Sequence, residues 1–107
     1  AVVADRVAAA RDRQAARYAG TGWRLNAHVP SRILESELPL PEAGRALLQE
    51  AGRQGRLTRR GMVRAHRVAW TLADLAGAER PTKTQVRAAL ALRTGDPLEL
   101  AAMEHSA

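Results

Sequence analysis

The chain has 107 residues, no cysteine, two Trp, one Tyr and no Phe, and it carries a formal charge of +6. That length is one domain with a modest core of Leu, Val and Ala, and the composition excludes a disulfide framework, a thiol nucleophile and a zinc knuckle. So few rings leave little platform for stacking single-stranded bases, while the basic balance favours anionic partners.

No apolar run approaches membrane-spanning length and no signal-peptide pattern is present, so the expected location is cytoplasmic, with no membrane partner. The chain opens on AVVADR, inside a helical pattern and without an initiator Met. It therefore reads as a fragment of something longer.

Residues 1–19 are predicted to form an amphipathic helix with Val3, Val7, Ala10, Gln14 and Tyr18 on a narrow face, flanked by Arg6, Arg13 and Arg17. Gly20 and Gly22 end it. A linker from Thr21 to Val29 holds Trp23, Asn26 and His28. The polar Gln14 and Asn26 stand beside apolar faces, which suggests a hydrogen bond tying the linker to the first helix. Pro30 suits the first turn of a short helix over roughly 30–36. Pro41 opens the next helix, with Glu42 in its first turn and Leu47, Leu48 and Ala51 on its apolar face. Gly52 and Gly55 weaken its end.

The stretch 57–77, LTRRGMVRAHRVAWTLADLAG, is the most informative. Thr58 is the predicted N-cap and Gly77 the stop. Arg60, Arg64, Arg67, Thr71 and Asp74 recur at helical spacing as one polar stripe. Ala65, Val68, Ala69, Leu72, Leu75, Ala76 and Met62 fill most of the remaining girth, as in the central helix of a bundle. The stripe is expected to be the one unburied face. Two readings stand: a solvated face of little energetic weight, or guanidinium forks aimed at a phosphate. Asp74 reads as a local salt bridge or cap contact, and His66, one turn before Trp70, as a packed edge residue.

Pro81 follows, and Thr82 with Gln85 has capping-box spacing for a helix over about 83–93, with Val86, Ala89, Leu90 and Leu92 on its buried side. Asp96 and Pro97 start a last short helix that frays at Ser106. With no strand pattern, the expected class is an all-α bundle of four to five helices. Its core covers about 1–95, with a tail over 96–107. No GxxxxGK[ST] loop, acidic-ended hydrophobic strand or nucleophile elbow is present. Such a chain is no enzyme by itself and can only add a residue to a phosphoryl-transfer site.

The order of these residues resembles a run in magnesium-chelatase-like AAA+ ATPases, most closely the ComM (YifB) branch. Leu57-Thr58-Arg59-Arg60, then Arg64, then Arg67-Val68-Ala69 and Thr71 to Gly77, resemble that family's L-S-x-R, an arginine four residues on, and R-V-A-R-T-I-A-D-L-A-G. Ala10 to Gln14 with Arg17 match its A-R-x-R-Q-x-x-R, Asn26-Ala27 its N-A, and Val86 to Arg93 loosely its E-A-L-x-x-R. Trp70 stands where the family often has arginine, and His66 where it often has an apolar residue.

The resemblance implies the C-terminal helical lid of the ATPase, with the P-loop in a preceding α/β domain. It implies that Arg60 is the sensor-2 arginine reading the terminal phosphates of ATP bound with Mg²⁺. Arg64, one turn on, is implied as a second contact or a structural pairing residue. The implied partners are the upstream AAA+ α/β domain and neighbouring subunits of a ring, in a ComM-type DNA-processing motor whose DNA is a further candidate partner. No metal ligand is implied within this chain. The rival readings are a basic nucleic-acid-binding bundle, from the charge, and an oligomerisation module, from the apolar, alanine-rich first helix.

Overall fold

A computed structural model describes residues 2–94. Helix α1 runs Val2–Arg17, followed by single 3₁₀ turns at Asn26–His28 and Ser31–Ile33. Then come the one-turn α2 (Leu34–Glu37), α3 (Glu42–Arg53), α4 (Arg59–Ala76) and α5 (Lys83–Thr94). The fold is all-α, and the described residues contain no strand. The helix expected from Asp96 lies outside them.

Helix α4 is the axis of the fold and packs against α1, α3 and α5. Its sequence explains how it can serve three neighbours. Ala65, Ala69 and Ala73 are buried, and their small side chains let other elements approach closely. Thr58 caps its start, where its Oγ1 accepts a hydrogen bond from the Gly61 amide at 3.0 Å. Gly77, at φ +77°, ends it in the left-handed region. The amide of Ala78 donates to the Ala73 carbonyl at 2.9 Å, closing the free C-terminal carbonyls in a Schellman arrangement. The expected box at Thr82 also forms, its amide donating to Gln85 Oε1 at 2.6 Å.

Tyr18, Val29, Leu34, Leu38, Leu48, Trp70, Val86 and Leu90 belong to the core, drawn from the turn after α1, from the 20–40 stretch and from α3, α4 and α5. Two expectations about buried faces fail at their ends. Val3 (75% exposed) and Val7 (38%) lie on the face that buries Ala10, Gln14 and Tyr18, but only the second half of α1 is covered. Leu92 is likewise half exposed, because α5 is covered only as far as Leu90.

The α3–α5 contact depends on a glycine. A Cβ on Gly44 would lie 2.7 Å from Val86 Cγ2. Val86 is fully buried and stiff at χ1, so it cannot swing aside. Gly44→Ala should therefore cost about 1–3 kcal/mol through overpacking, outweighing its gain in helix propensity. A urea melt at least as stable as that of the parent sequence would refute this.

Candidate functional site

The polar stripe of α4 does not form one solvated face. It divides at Arg67. Arg60 and Arg64 are exposed, Arg67 and Thr71 are half buried, and Asp74 is 1% exposed. The two halves do different work.

The C-terminal half closes a polar knot between α1, the linker and α4. Arg17, from the last turn of α1, meets Asp74 with both forks: Nη2 to Oδ1 at 2.5 Å and Nη1 to Oδ2 at 3.0 Å. The same Nη1 donates to Asn26 Oδ1 at 2.9 Å, which also accepts from the Tyr18 hydroxyl at 2.6 Å. Asn26 Nδ2 donates to Asp74 Oδ2 and to Thr71 Oγ1, and the Asn26 amide donates to Gln14 Oε1 at 2.9 Å. The tie expected between Gln14 and the linker is thus present, and Asn26 is its hub. Asp74 is more than a local pair, because its partner is 57 positions away in sequence.

The Arg17 guanidinium lies 4.7 Å from the centre of the Trp70 ring. The indole supplies a cation–π face where a second arginine would repel. Trp70 Nε1 also donates to the Pro39 carbonyl, so position 70 does make polar contacts. Burial works against the charge on Arg17, but the bonds and charge of Asp74 outweigh it and hold its pKa above the ordinary value. Burial likewise pushes the Tyr18 phenol up, against the opposing pull of Arg17. No buried side-chain nitrogen or oxygen of this knot lacks a hydrogen-bond partner, so it is a structural fastening.

The N-terminal half of the stripe lines an open groove. One wall is the first two turns of α4, with Arg59, Arg60, Arg64 and Arg67; the other is α3 and the turn before α2, with Arg45, Arg53 and Arg32. Leu34, Leu40, Leu48, Leu57, Met62 and Val63 form the floor. Among the described residues that line it, Glu35 is the one carboxylate and lies 3.7 Å from Arg45, and Arg53 pairs with Glu50. Arg67 Nη2 donates to the Val29 carbonyl at 2.7 Å. Among the described residues, Arg32, Arg59, Arg60 and Arg64 make no hydrogen bond or ion pair.

Two of these free cations stand in the first turn of α4, where the helix dipole is already positive and no acidic residue offsets it. That placement is unfavourable for a bare helix and favourable for one that meets an anion. The described residues contain no grouping of His, Asp or Glu able to hold a metal ion. Guanidinium groups so placed can donate to an anionic group such as a phosphate or a carboxylate.

His66 sits beside the groove, buried, with Nε2 2.6 Å from the Leu38 carbonyl. The carbonyl can only accept, so Nε2 carries the proton. Burial lowers its pKa below the ordinary 6.5, with Arg67 and Arg45 adding to the effect and the Leu38 carbonyl and Glu35 opposing it. The unfolded chain therefore takes up a proton at higher pH than the folded one. The stability contributed by neutral His66 is complete above about pH 6.5 and is lost as pH falls through the lower folded value, by at most about 1.4 kcal/mol per pH unit. His66→Gln should flatten the fall in stability between pH 7 and 5.5. An unchanged slope would refute the role of His66.

The sequence pointed to Arg60 and Arg64, and the structure brings them into one groove. It did not point to Arg32, Arg45 or Arg53, whose shared wall only the tertiary fold assembles. The pairing of Arg17 with Asp74 also went unread, although its place in the A-R-x-R-Q-x-x-R run was a signal.

The family described as "Magnesium chelatase, subunit ChlI C-terminal" matches residues 1–93. The chain is also 42% identical over 91 residues to the uncharacterized protein Mb2921c of Mycobacterium bovis and the uncharacterized proteins MT2965 and Rv2897c of Mycobacterium tuberculosis. Each match covers 85% of this chain and 18% of the relative, so the chain spans less than a fifth of the length of those proteins. No solved structure matches it. With nearly its whole length matched and its helices in place, the chain belongs to the family of magnesium chelatase ChlI C-terminal domains.

Proposed function

We propose that this domain is the helical lid of a ComM-type AAA+ ATPase, and that Arg60 acts as its sensor-2 arginine. ATP with Mg²⁺ would be held by an α/β domain elsewhere in the parent protein, and the lid alone would not hydrolyse it. One observation carries the reading. Arg60 and Arg64 stand one turn apart at the positive end of α4, exposed and without a hydrogen-bond or ion-pair partner among the described residues.

A guanidinium there can meet a terminal phosphate only while that phosphate is present. It therefore couples nucleotide state to the angle between lid and α/β domain, and it stabilises charge during phosphoryl transfer. Arg64 would serve as the second donor. The Arg17–Asp74–Asn26 knot would keep α1 and α4 moving as one body, so that displacement of the phosphate displaces the whole lid. The neighbouring subunits of a ring and DNA would be the further partners of the parent motor. The test is steady-state ATP hydrolysis by the full-length parent carrying Arg60→Ala. Loss of turnover with an intact fold supports the reading, and unchanged turnover contradicts it.

A further inference from the structure

Away from Arg60 and Arg64, the groove holds a second group of charges. His66 lines it together with Glu35 of α2, Arg45 of α3 and Arg67 of α4. Glu35, Arg45 and Arg67 all act on the ionisation of His66, so the four side chains form one electrostatic cluster. Its two guanidinium groups are under-used. Arg45 stands 3.7 Å from Glu35 and 3.8 Å from Glu42, both longer than a hydrogen bond, and both carboxylates are largely exposed. Arg67 donates from Nη2 to the Val29 carbonyl, while its Nε is buried without a hydrogen-bond partner. Among the described residues it is the one buried side-chain nitrogen or oxygen in that condition, and a buried donor left unpaired is costly.

We propose that Arg45 and Arg67, one from each wall of the groove, bind a phosphate-sized tetrahedral dianion between them, with His66 as the third member of the site. Arg67 has its Nη1 left for the ligand, and Nε joins it after a small turn of the guanidinium. A carboxylate fits less well. Glu35 and Glu42 are already beside Arg45, and neither closes to hydrogen-bond distance. A tetrahedral dianion carries more charge and more acceptors, and it can accept from two guanidinium forks at once. Leu34, Leu40 and Leu48 on the groove floor are buried, and beside such an apolar surface a charge contact counts for more than in open water.

His66 makes the site sensitive to pH. Its Nε2 is committed to the Leu38 carbonyl at 2.6 Å, so a second proton enters at Nδ1. A dianion close to the ring favours that proton, and by linkage the proton favours the dianion. Burial, Arg67 and Arg45 hold the ring neutral against the pull of the Leu38 carbonyl and Glu35, and the ligand adds to that pull. Affinity therefore rises as pH falls. The site uses neither Arg60 nor Arg64 and does not rest on the nucleotide reading, and its test reads binding, not turnover.

The test is a titration of the 107-residue chain with sodium sulfate at constant ionic strength, followed by NMR through the arginine Nε–Hε signals. Sulfate keeps one charge state across the range used, so any pH dependence belongs to the protein. The expected result is saturable shifts at Arg45 and Arg67 that exceed those at Arg60 and Arg64. Arg45→Gln should weaken binding roughly tenfold. Binding should tighten between about pH 7.5 and about pH 5.5, and His66→Gln should keep the binding but remove this trend. Tripolyphosphate then identifies the source of the ligand. Shifts confined to Arg45 and Arg67 mark a separate ion, and shifts that extend to Arg60 and Arg64 mark the end of a phosphate chain. The proposal is overturned if the shifts grow without saturation, or if Arg60 and Arg64 respond to sulfate more than Arg45 and Arg67. It is also overturned if folded Arg45→Gln binds as well as the parent chain, or if the pH trend survives His66→Gln.

Discussion

Asp74→Ala is expected to destabilise the chain by about 3–5 kcal/mol, the usual consequence of removing one partner from a buried, hydrogen-bonded ion pair. The Asp74 side chain is fully buried and that of Arg17 is 21% exposed. Removing the carboxylate strips Arg17 of a bidentate partner and leaves Asn26 Nδ2 with only its longer bond to Thr71. The guanidinium would remain against Trp70 with its charge poorly compensated. A domain of this size has a total stability of roughly 5–15 kcal/mol, so the change removes a large share of it. The double variant Arg17→Met/Asp74→Ala should lose less than the sum of the two single changes, since no charge is then stranded. Urea melts of the four proteins measure both quantities. A loss below about 1 kcal/mol for Asp74→Ala would show that the knot does not fasten α1 to α4.

Arg60→Ala is expected to behave in the opposite way. The side chain is exposed and makes no bond to the described residues, so stability should change by no more than about 0.5 kcal/mol. In the full-length parent, ATP turnover should fall by about 10²–10³-fold, the scale on which loss of a donor aimed at developing charge is felt. Arg60→Lys should recover only part of the activity, because an ammonium keeps the charge but not the planar fork. The contrast between the two ends of one helix is the informative result: loss of Asp74 should be felt in stability, and loss of Arg60 in turnover.

Much of the fold was legible in the sequence because it rests on local signals. Thr58 and Gly77 bound α4, Thr82 and Gln85 start α5, and Pro41 opens α3, each through a cap or a fixed φ that needs no distant partner. The division of the α4 stripe was not legible. Helical spacing says which residues share a face, but what covers that face is decided by other parts of the chain. Arg17 and Asn26, which bury Asp74, come from α1 and the linker, while none of the described residues covers Arg60 in that way. The same limit explains Val3 and Val7, which share the spacing of Ala10 and Tyr18 but extend past the end of the core. The groove was half visible. Its α4 wall could be read as a row of arginines, whereas Arg32 and Arg45 join it only because α2 and α3 fold back beside α4.

The central claim is that Arg60 meets the terminal phosphate of a nucleotide held by another domain. The most direct measurement is the ratio of ATP to ADP affinity in the full-length parent, with and without Arg60→Ala, under conditions that prevent hydrolysis. The account predicts that preference for ATP collapses in the variant while ADP affinity is retained. A variant that stays folded and prefers ATP as strongly as before would contradict it.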